Sequence, residues 1–218
     1  AEKAEGEYLI ILDSDVVVPT GYLDAVEAEL QSEEAQAFGG PDRAHDSFSD
    51  IQKAINYSMT SFFTTGGIRG GKKKMDKFYP RSFNMGIKAD LYRELGGFSK
   101  MRFGEDIDFS IRIYQSGAKC RLFPEAWVYH KRRTDFKKFF RQVHNSGIAR
   151  INLEKRHSGS LKLVHLLPAA FTVSCITIVI PIFYSFVIFC DSALRNHSAH
   201  IGILSVPAAF IQLTGYGT

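Results

Sequence analysis

Tyr8-Leu9-Ile10-Ile11-Leu12-Asp13-Ser14-Asp15 is the stretch of the sequence that decides the fold. Its first five residues form a short, bulky apolar run bounded by Gly6 and Asp13. Such a run is typical of a strand that is buried on both faces of a mostly parallel sheet. Two acidic residues follow directly, at the strand end where a sheet of this kind opens its binding crevice. The stretch therefore predicts an α/β fold with a polar site at the end of this strand.

Helical and strand-like patterns alternate from this stretch to about residue 129, which supports the α/β class. The predicted strands lie at 35–40, 83–87, 118–123 and 126–129, and the predicted helices lie at 19–31, 48–63, 90–95 and 104–116. Residues 64–74 form a loop rich in Gly and Lys. Two interpretations of this loop stay open: an exposed surface loop, or a segment from Gly66 to Lys74 that closes over the phosphates of a ligand.

Composition limits the class of protein. The chain has 218 residues, 45% of them apolar and 23% charged, which is enough for one sizeable core with or without an appendage. Its formal net charge of +4 is too small to indicate a nucleic-acid partner, and we expect none. Cys120, Cys175 and Cys190 are widely spaced and odd in number, so they predict no disulfide framework or zinc site. A reducing compartment is the natural interpretation.

A basic segment leads into the apolar C-terminal part of the chain. Between Lys131 and Lys162 there are ten Lys or Arg residues and two acidic ones. Residues 135–152 have the pattern of a basic, Phe-rich amphipathic helix. Such a helix either lies at a membrane interface or packs on the protein core, and the pattern leaves both open.

Residues 163–189 contain no Lys, Arg, Asp or Glu. Because a helix of about 20 residues crosses the hydrocarbon core of a bilayer, this run predicts a membrane span. A polar loop at 191–200 and an apolar run at 201–218 predict a second span. Positive charge is concentrated before the first span, which places residues 1–162 in the cytoplasm. We therefore expect three parts, 1–133, 134–160 and 161–218, in a multi-pass protein of the cell (inner or plasma) membrane.

Asp13 and Asp15 are the sharpest chemical signal. Two carboxylates one residue apart on a turn can share a hard divalent cation such as Mg²⁺ or Mn²⁺, which prefers oxygen ligands and completes its shell with phosphate and water. The alternative is an ordinary pair of turn acids, because Asp is common after strands.

Glu105 and Asp106 form the second signal. They follow Gly104 at the start of a predicted helix, where carboxylates stabilise the helix dipole by about 0.5–1 kcal/mol. The functional alternative is a general base that points into the crevice. The next acid, Asp108, is interpreted as structural.

His130 is the third signal, because it ends a predicted strand and is followed by Lys131-Arg132-Arg133. A neutral imidazole can join two Asp residues around a metal ion, and the neighbouring cations can neutralise a diphosphate. The alternative is a structural histidine.

The order of these motifs resembles the family-2 glycosyltransferases over roughly residues 6–147. The resemblance is carried by five segments: Tyr8 to Asp15, Ser82-Phe83-Asn84-Met85-Gly86-Ile87, Leu95-Gly96-Gly97-Phe98, Gly104-Glu105-Asp106-Ile107-Asp108, and Val128-Tyr129-His130. The combination is far more specific than any one segment.

The resemblance implies an A-type glycosyltransferase (GT-A) fold and an inverting transfer of a sugar from a nucleotide-sugar donor to a hydroxyl acceptor. It implies Asp106 as the catalytic base and Glu105 as the residue that orients the acceptor. Donor-binding roles fall on Asp13, Asp15, Asn84, Met85, Gly86, Arg132 and Arg133. Metal-binding roles, for Mn²⁺ or Mg²⁺, fall on Asp15, Asp13 and His130.

Two departures from the family pattern follow. The family's first strand, helix and second strand would precede Ala1, and the second apolar run stops at Thr218, so we expect a fragment of a longer protein. The Q-x-x-R-W motif of processive members is absent, since Trp127 is the one tryptophan and lies in a predicted strand. This favours transfer of single sugars. The expected membrane anchor suits a lipid-linked or membrane-proximal acceptor, and we expect a role in cell-envelope polysaccharide assembly.

Two alternatives stay open. A metal-dependent nucleotidyl or phosphoryl transferase would use Asp13 and Asp15 equally well, but it has no evident use for the later Glu-Asp pair. A membrane-anchored sugar-binding or scaffold subunit without activity is the second alternative. The acids Asp13, Asp15 and Asp106, all present, argue against this loss of activity.

Overall fold

The computed structural model describes residues 3–65, 78–174 and 179–217. Within these residues the chain divides into two compact units. The first unit holds residues up to 45 and from 78 to 131, and the second holds residues 46–65 and those from 132 onward. The first predicted part, 1–133, therefore contributes to both units. The loop predicted at Gly66–Lys74 lies outside the described residues.

The elements follow the predicted alternation closely. The strands are β1 (Tyr8–Leu12), β2 (Val16–Val17), β3 (Ala37–Gly39), β4 (Asp42–Arg43), β5 (Asn84–Lys88), β6 (Cys120–Leu122) and β7 (Val128–His130). The helices are α1 (Tyr22–Ser32), α2 (Asp50–Thr60), α3 (Phe62–Thr65), α4 (Ala89–Glu94), α5 (Glu105–Gln115), α6 (Phe136–Arg156), α7 (Leu167–Ser174), α8 (Val179–Asn196) and α9 (Ala199–Gly217), with a 3₁₀ turn at Leu163–Leu166.

The larger sheet of the first unit has three strands that run in one direction, as expected of a mostly parallel sheet, and one reversed strand, β5. The larger sheet has the order β1-β5-β3-β6, and the smaller has the order β2-β7-β4. β5 lies between β1 and β3 and is antiparallel to both, whereas β3 and β6 are parallel. The alternation of helices and strands predicted parallel neighbours, but β5 is antiparallel to both of the strands beside it.

Burial of β1 is also one-sided rather than complete. Leu9 is buried, whereas Ile10 and Leu12 are 36% and 38% exposed. This alternation is the period of a strand with one covered face, and it corrects the expectation of burial on both faces.

Two apolar clusters cover the two faces of the larger sheet. On one face, α5 packs Phe109 and Ile113 against β1 and β5. On the other face, α1 packs against Phe38, whose ring stacks on Phe123 at 4.4 Å between centroids. Gly86 makes room for Phe38, because a Cβ at this position would lie 2.0 Å from the ring. Helices on both sides of a central sheet give the α/β class that the sequence predicted.

The second unit is helical, with α9 in contact with α2, α6, α7 and α8. Ile55 of α2, Phe139 of α6 and Ala208 of α9 belong to one buried cluster. Tyr57, Ile188 and Ala209 form another. The helix predicted at 135–152 is therefore α6, and one of its faces packs inside this unit.

Of the two predicted spans, the second coincides with α9, whereas the described part of the first forms no single helix of spanning length. The described part of 163–189 consists of the 3₁₀ turn, α7 and the first part of α8, and α8 continues through much of the predicted polar loop. Pro168 lies in the first turn of α7, where a missing N–H disrupts no helical hydrogen bond. Among the described residues, one helix, Ala199–Gly217, is long and apolar enough to cross a membrane. Part of it is buried inside the second unit, as in a core helix, so a multi-pass arrangement is not supported.

Candidate functional site

Asp13, Asp15 and His130 come together at the ends of β1 and β7. β2 pairs with β7, which sets Val16 opposite His130. The backbone N–H of Lys131 donates to the carbonyl oxygen of Asp15 at 3.1 Å. One ligand atom from each of the three side chains lies within 4.8 Å of the others, and His130 Nε2 is 3.3 Å from Asp15 Oδ1. The sequence predicted this grouping, although His130 lies more than a hundred positions after the two acids.

The three side chains fit a divalent cation. Two carboxylates and an imidazole are partly buried rather than fully exposed. Two ligand atoms that each lie about 2.1 Å from the same ion are at most about 4.2 Å apart. The distances between the three ligand atoms therefore need to shorten only slightly for all three to bind one ion. Carboxylate oxygens suit Mg²⁺ and Mn²⁺, and an imidazole nitrogen suits a transition metal. The donor set accommodates Mn²⁺ as well as Mg²⁺.

The ring of His130 is held from two further directions. Phe83 stacks on it, with 4.8 Å between ring centroids and 27° between the planes. Asp42 Oδ2 lies 3.9 Å from Nδ1, on the ring edge away from Asp15. Neither Phe83 nor Asp42 was identified from the sequence as a partner of His130. For Asp42 the reason is that β4 is only two residues long and was not predicted.

Asp106 lies in the first turn of α5 and is largely buried. Its Oδ2 is 2.6 Å from Nε of Arg81, and its Oδ1 accepts a hydrogen bond from the N–H of Ile107 at 2.8 Å. Gly104 adopts φ 84 immediately before the helix, a conformation that favours glycine. Glu105 lies beside Asp106 and is partly exposed. Arg81 was not identified from the sequence, because no spacing rule links it to α5.

Asp108 has the structural role that the sequence assigned to it. Its side chain is fully buried, and Arg112 Nε lies 3.1 Å from its Oδ2. The same guanidinium donates to the carbonyl oxygens of Leu95 and Gly97, both at 2.6 Å. Asp108 thus helps to join α5 to the glycine turn that follows α4.

Asn84, Met85 and Gly86 lie in β5 inside the first unit. The Asn84 side chain accepts a hydrogen bond from Tyr22 at 2.6 Å and donates one to the carbonyl oxygen of Ala126 at 2.7 Å. Burial raises the pKa of Tyr22 to about 12, so its hydroxyl stays protonated and donates. Met85 belongs to the core cluster between β5 and α5. The donor-binding role of these three residues stays a prediction.

Arg132 and Arg133 belong to the second unit. Arg132 is buried, and its guanidinium donates to Asn56 Oδ1 at 3.0 and 2.9 Å. Gln52 donates to its carbonyl oxygen at 2.9 Å. Arg133 is exposed. A role for either residue in binding a diphosphate stays a prediction.

The comparison with known families decides the classification. The sequence profile described as Glycosyl transferase family group 2 matches residues 8–211, nearly the whole chain. The chain belongs to this family. The matched range contains β1, the acidic pair, Glu105, Asp106 and His130. No curated protein matches the chain.

A solved structure supports the fold of this family-group-2 chain. The mannosyltransferase PcManGT from Pyrobaculum calidifontis, in complex with GDP-Man and Mn²⁺, matches with a TM-score of 0.51 and 17% sequence identity. The match covers 98% of this chain and 64% of that protein, so the chain spans less than two thirds of its length. At this identity the likeness shows the GT-A fold, a central sheet with flanking helices.

Proposed function

We propose that this chain carries the catalytic residues of a metal-dependent, inverting glycosyltransferase. Its donor would be a nucleotide-diphosphate sugar, and its acceptor would be a hydroxyl group. The observation that carries the proposal is the meeting of Asp13, Asp15 and His130 in a family-group-2 chain. The GDP-Man and Mn²⁺ in the structurally similar mannosyltransferase are consistent with this donor and metal class.

In this proposal Asp15, Asp13 and His130 hold the divalent cation, and Asp13 also contacts the nucleotide end of the donor. The bound ion would stabilise the charge of the departing diphosphate. The strand pairing of β2 with β7 fixes the spacing of Asp15 and His130 before any ligand binds. This preorganisation lowers the entropy cost of assembling the site.

Asp106 is the proposed general base. It takes the proton from the acceptor hydroxyl while that oxygen bonds to the anomeric carbon, and the bond from this carbon to the diphosphate oxygen breaks. A single displacement of this kind inverts the configuration. Arg81 and the N-terminus of α5 stabilise the carboxylate form of Asp106, which is the form that accepts a proton. Glu105, next to Asp106, would orient the acceptor.

Other donor-binding roles follow from burial. Since Asn84 and Met85 are buried and Gly86 packs against Phe38, we assign β5 to shaping the donor site through its backbone. Of the two arginines, Arg133 is exposed and is the one we assign to a diphosphate. Arg132, bound to Asn56, would hold the backbone that carries Arg133.

Membrane association is proposed for the second unit. Large apolar side chains are exposed on α8, on α7 and on the 3₁₀ turn before it, among them Phe183, Phe186 and Leu163. Exposed apolar surface of this extent marks an interaction site. Exposed cations on α6, such as Lys137 and Lys138, suit anionic lipid headgroups. In this proposal the association takes place at the cytoplasmic face of a membrane, and the acceptor is lipid-linked or membrane-proximal.

The test is a donor screen with the protein in detergent and Mn²⁺ or Mg²⁺. UDP-, GDP- and dTDP-sugars are compared with nucleoside triphosphates for metal-dependent turnover and binding. The variant is Asp15→Ala, and the matched control is Asp90→Ala, an exposed acid of α4. Metal-dependent release of one nucleoside diphosphate, lost in Asp15→Ala and kept in Asp90→Ala, supports the proposal. Turnover of triphosphates alone would favour a nucleotidyltransferase. Folded protein without binding of any nucleotide sugar would favour a scaffold subunit.

A further inference from the structure

We propose that Asp42 is a positioning residue for His130: its carboxylate holds the imidazole with Nε2 directed at the metal group. This inference rests on the metal site proposed above. Nothing in the sequence pattern or in the family match assigns a role to Asp42.

The two nitrogens of His130 face two different carboxylates. Nε2 is 3.3 Å from Asp15 Oδ1, and Nδ1 is 3.9 Å from Asp42 Oδ2. The side chains of His130 and Asp42 are 15% and 9% exposed, respectively, so both are shielded from bulk water. A carboxylate on the far edge of a metal-binding imidazole is the usual arrangement that fixes the orientation and tautomer of the ring.

The backbone fixes Asp42 relative to His130. β4 pairs in parallel with β7, which sets Asp42 opposite Val128 and Arg43 opposite Tyr129. The N–H of Val128 donates to the carbonyl oxygen of Pro41 at 3.0 Å. Asp42 and His130 therefore lie on two adjoining strands and cannot separate without breaking this ladder.

The neighbouring residue Arg43 strengthens the same pairing. Its guanidinium lies over the ring of Trp127, 4.2 Å from the centroid. A guanidinium over an aromatic face is attracted by the ring electrons. Because Arg43 contacts the residue before Val128, the two-residue strand β4 stays in register with β7. Asp42 is thereby kept on the His130 side.

The charge of Asp42 acts on the tautomer of His130. A neutral imidazole that offers the Nε2 lone pair to a metal carries its proton on Nδ1. A carboxylate near Nδ1 favours this tautomer and raises the electron density at Nε2. The 3.9 Å separation exceeds a direct hydrogen bond, so contact requires a small ring movement or one bridging water. Stacking on Phe83 limits other ring orientations.

The experiment measures the affinity of the chain for Mn²⁺ by the electron paramagnetic resonance signal of the free ion, with and without GDP or UDP. Asp42→Ala removes the charge and the acceptor, whereas Asp42→Asn keeps the shape and one acceptor oxygen. The expected result is a Kd raised about 10–100-fold in Asp42→Ala and by a smaller factor in Asp42→Asn. Asp90→Ala is the matched control and should bind as wild type. Circular dichroism confirms that each variant is folded.

A second readout follows the ring itself. Long-range ¹H–¹⁵N spectra of the metal-free chain report the tautomer of His130, whose signals are identified by their loss in His130→Gln. Since Asp15 faces Nε2 and Asp42 faces Nδ1, we expect both tautomers in the wild type and a smaller share of the Nδ1–H tautomer in Asp42→Ala. A purely structural role for Asp42 would leave the tautomer of a folded variant unchanged.

The outcomes separate this inference from the proposed function. Unchanged Mn²⁺ affinity and tautomer in folded Asp42→Ala, together with lost affinity in Asp15→Ala, would overturn the role of Asp42 and leave the metal site in place. Absence of Mn²⁺ binding by the wild-type chain, with either nucleotide present, would overturn the metal site and the role of Asp42 together.

Discussion

Arg81 and Asp106 form an ion pair in which Nε lies 2.6 Å from Oδ2. Arg81 is also tied to β5, because the N–H of Asn84 donates to its carbonyl oxygen at 3.0 Å. The proposed base is therefore fixed to the start of the central strand as well as to its own helix. A charge-assisted hydrogen bond of this length is roughly twice as strong as a neutral one.

Replacing Arg81 should reduce stability measurably. Arg81→Gln leaves the largely buried carboxylate of Asp106 without its cation, and we expect the free energy of unfolding to fall by about 1.5–3 kcal/mol. Arg93→Gln is the matched control, since Arg93 pairs with Asp90 on the exposed surface of α4 and should cost at most about 0.5 kcal/mol. Urea unfolding measures both. Equal losses in the two variants would contradict a special role for the Arg81 pair.

Asp106→Asn and Asp108→Asn should separate catalysis from folding. Asp106→Asn removes the proposed base, so we expect kcat for sugar transfer to fall about 10²–10⁴-fold with donor affinity retained. Asp108→Asn weakens the buried contact with Arg112 and should mainly lower thermal stability. Steady-state kinetics and thermal melts of both variants check this. Full transfer activity in Asp106→Asn would show that Asp106 is not the general base.

The sequence predicted the order of elements and the metal group because both depend on local patterns. Asp13, Asp15 and His130 each follow a strand, and strand ends meet at sheet edges. Asp42 and Arg81 were missed because their partners lie in distant segments and the contacts are set by strand pairing. The direction of β5 was missed for the same reason: apolar runs indicate strands but do not indicate their direction.

The C-terminal helices show a second limit of sequence reasoning. A long uncharged run predicts a span, but it does not distinguish lipid from the neighbouring helices that cover α9. Hydrophobicity located α9, but it did not predict that α8 continues to Asn196, through most of the expected polar loop.

Gly40→Ala should destabilise the first unit. A Cβ at Gly40 would lie 1.7 Å from the carbonyl oxygen of Ala126 and 2.6 Å from the Asn84 amide nitrogen. The Ala126 oxygen belongs to the backbone and cannot move aside as a flexible side chain could. The added methyl group would also break the hydrogen bond between Asn84 and Ala126. We expect a loss of at least about 2 kcal/mol by urea unfolding. Gly6→Ala is the control, because its nearest neighbour lies at 3.4 Å. If Gly40→Ala unfolds at the same urea concentration as the wild type, the close contact between Gly40 and Ala126 is contradicted.

Cys120 should resist thiol reagents at pH 8. Burial raises its pKa to about 12 from an ordinary value of 9.0. A thiol with this pKa is about 10⁻⁴ thiolate at pH 8, compared with about 10⁻¹ for an ordinary cysteine, and only the thiolate reacts. A Cys175→Ser/Cys190→Ser variant isolates Cys120. Native protein should remain unlabelled over hours by iodoacetamide in mass spectrometry and label fully in guanidinium. Rapid labelling of folded protein would show that Cys120 is accessible.

Removing apolar side chains from α8 should release the chain from membranes. Phe183 and Phe186 are 71% and 65% exposed. Burying one such side chain in lipid gains about 1.5–3 kcal/mol, so Phe183→Ser/Phe186→Ser should lower the partition coefficient at least about 100-fold. Flotation with vesicles that contain anionic lipid measures this.

The control for this experiment comes from the first unit. Leu23 is 66% exposed on α1, and Leu23→Ser should float as wild type does, because α1 has no proposed lipid contact. Raising the salt concentration should weaken binding through Lys137 and Lys138 but leave the apolar contribution, since screening acts on charges. If the double variant still floats with the vesicles in high salt, the exposed face of α8 is not what binds the chain to the membrane. The apolar helix Ala199–Gly217 would then be the segment to test next.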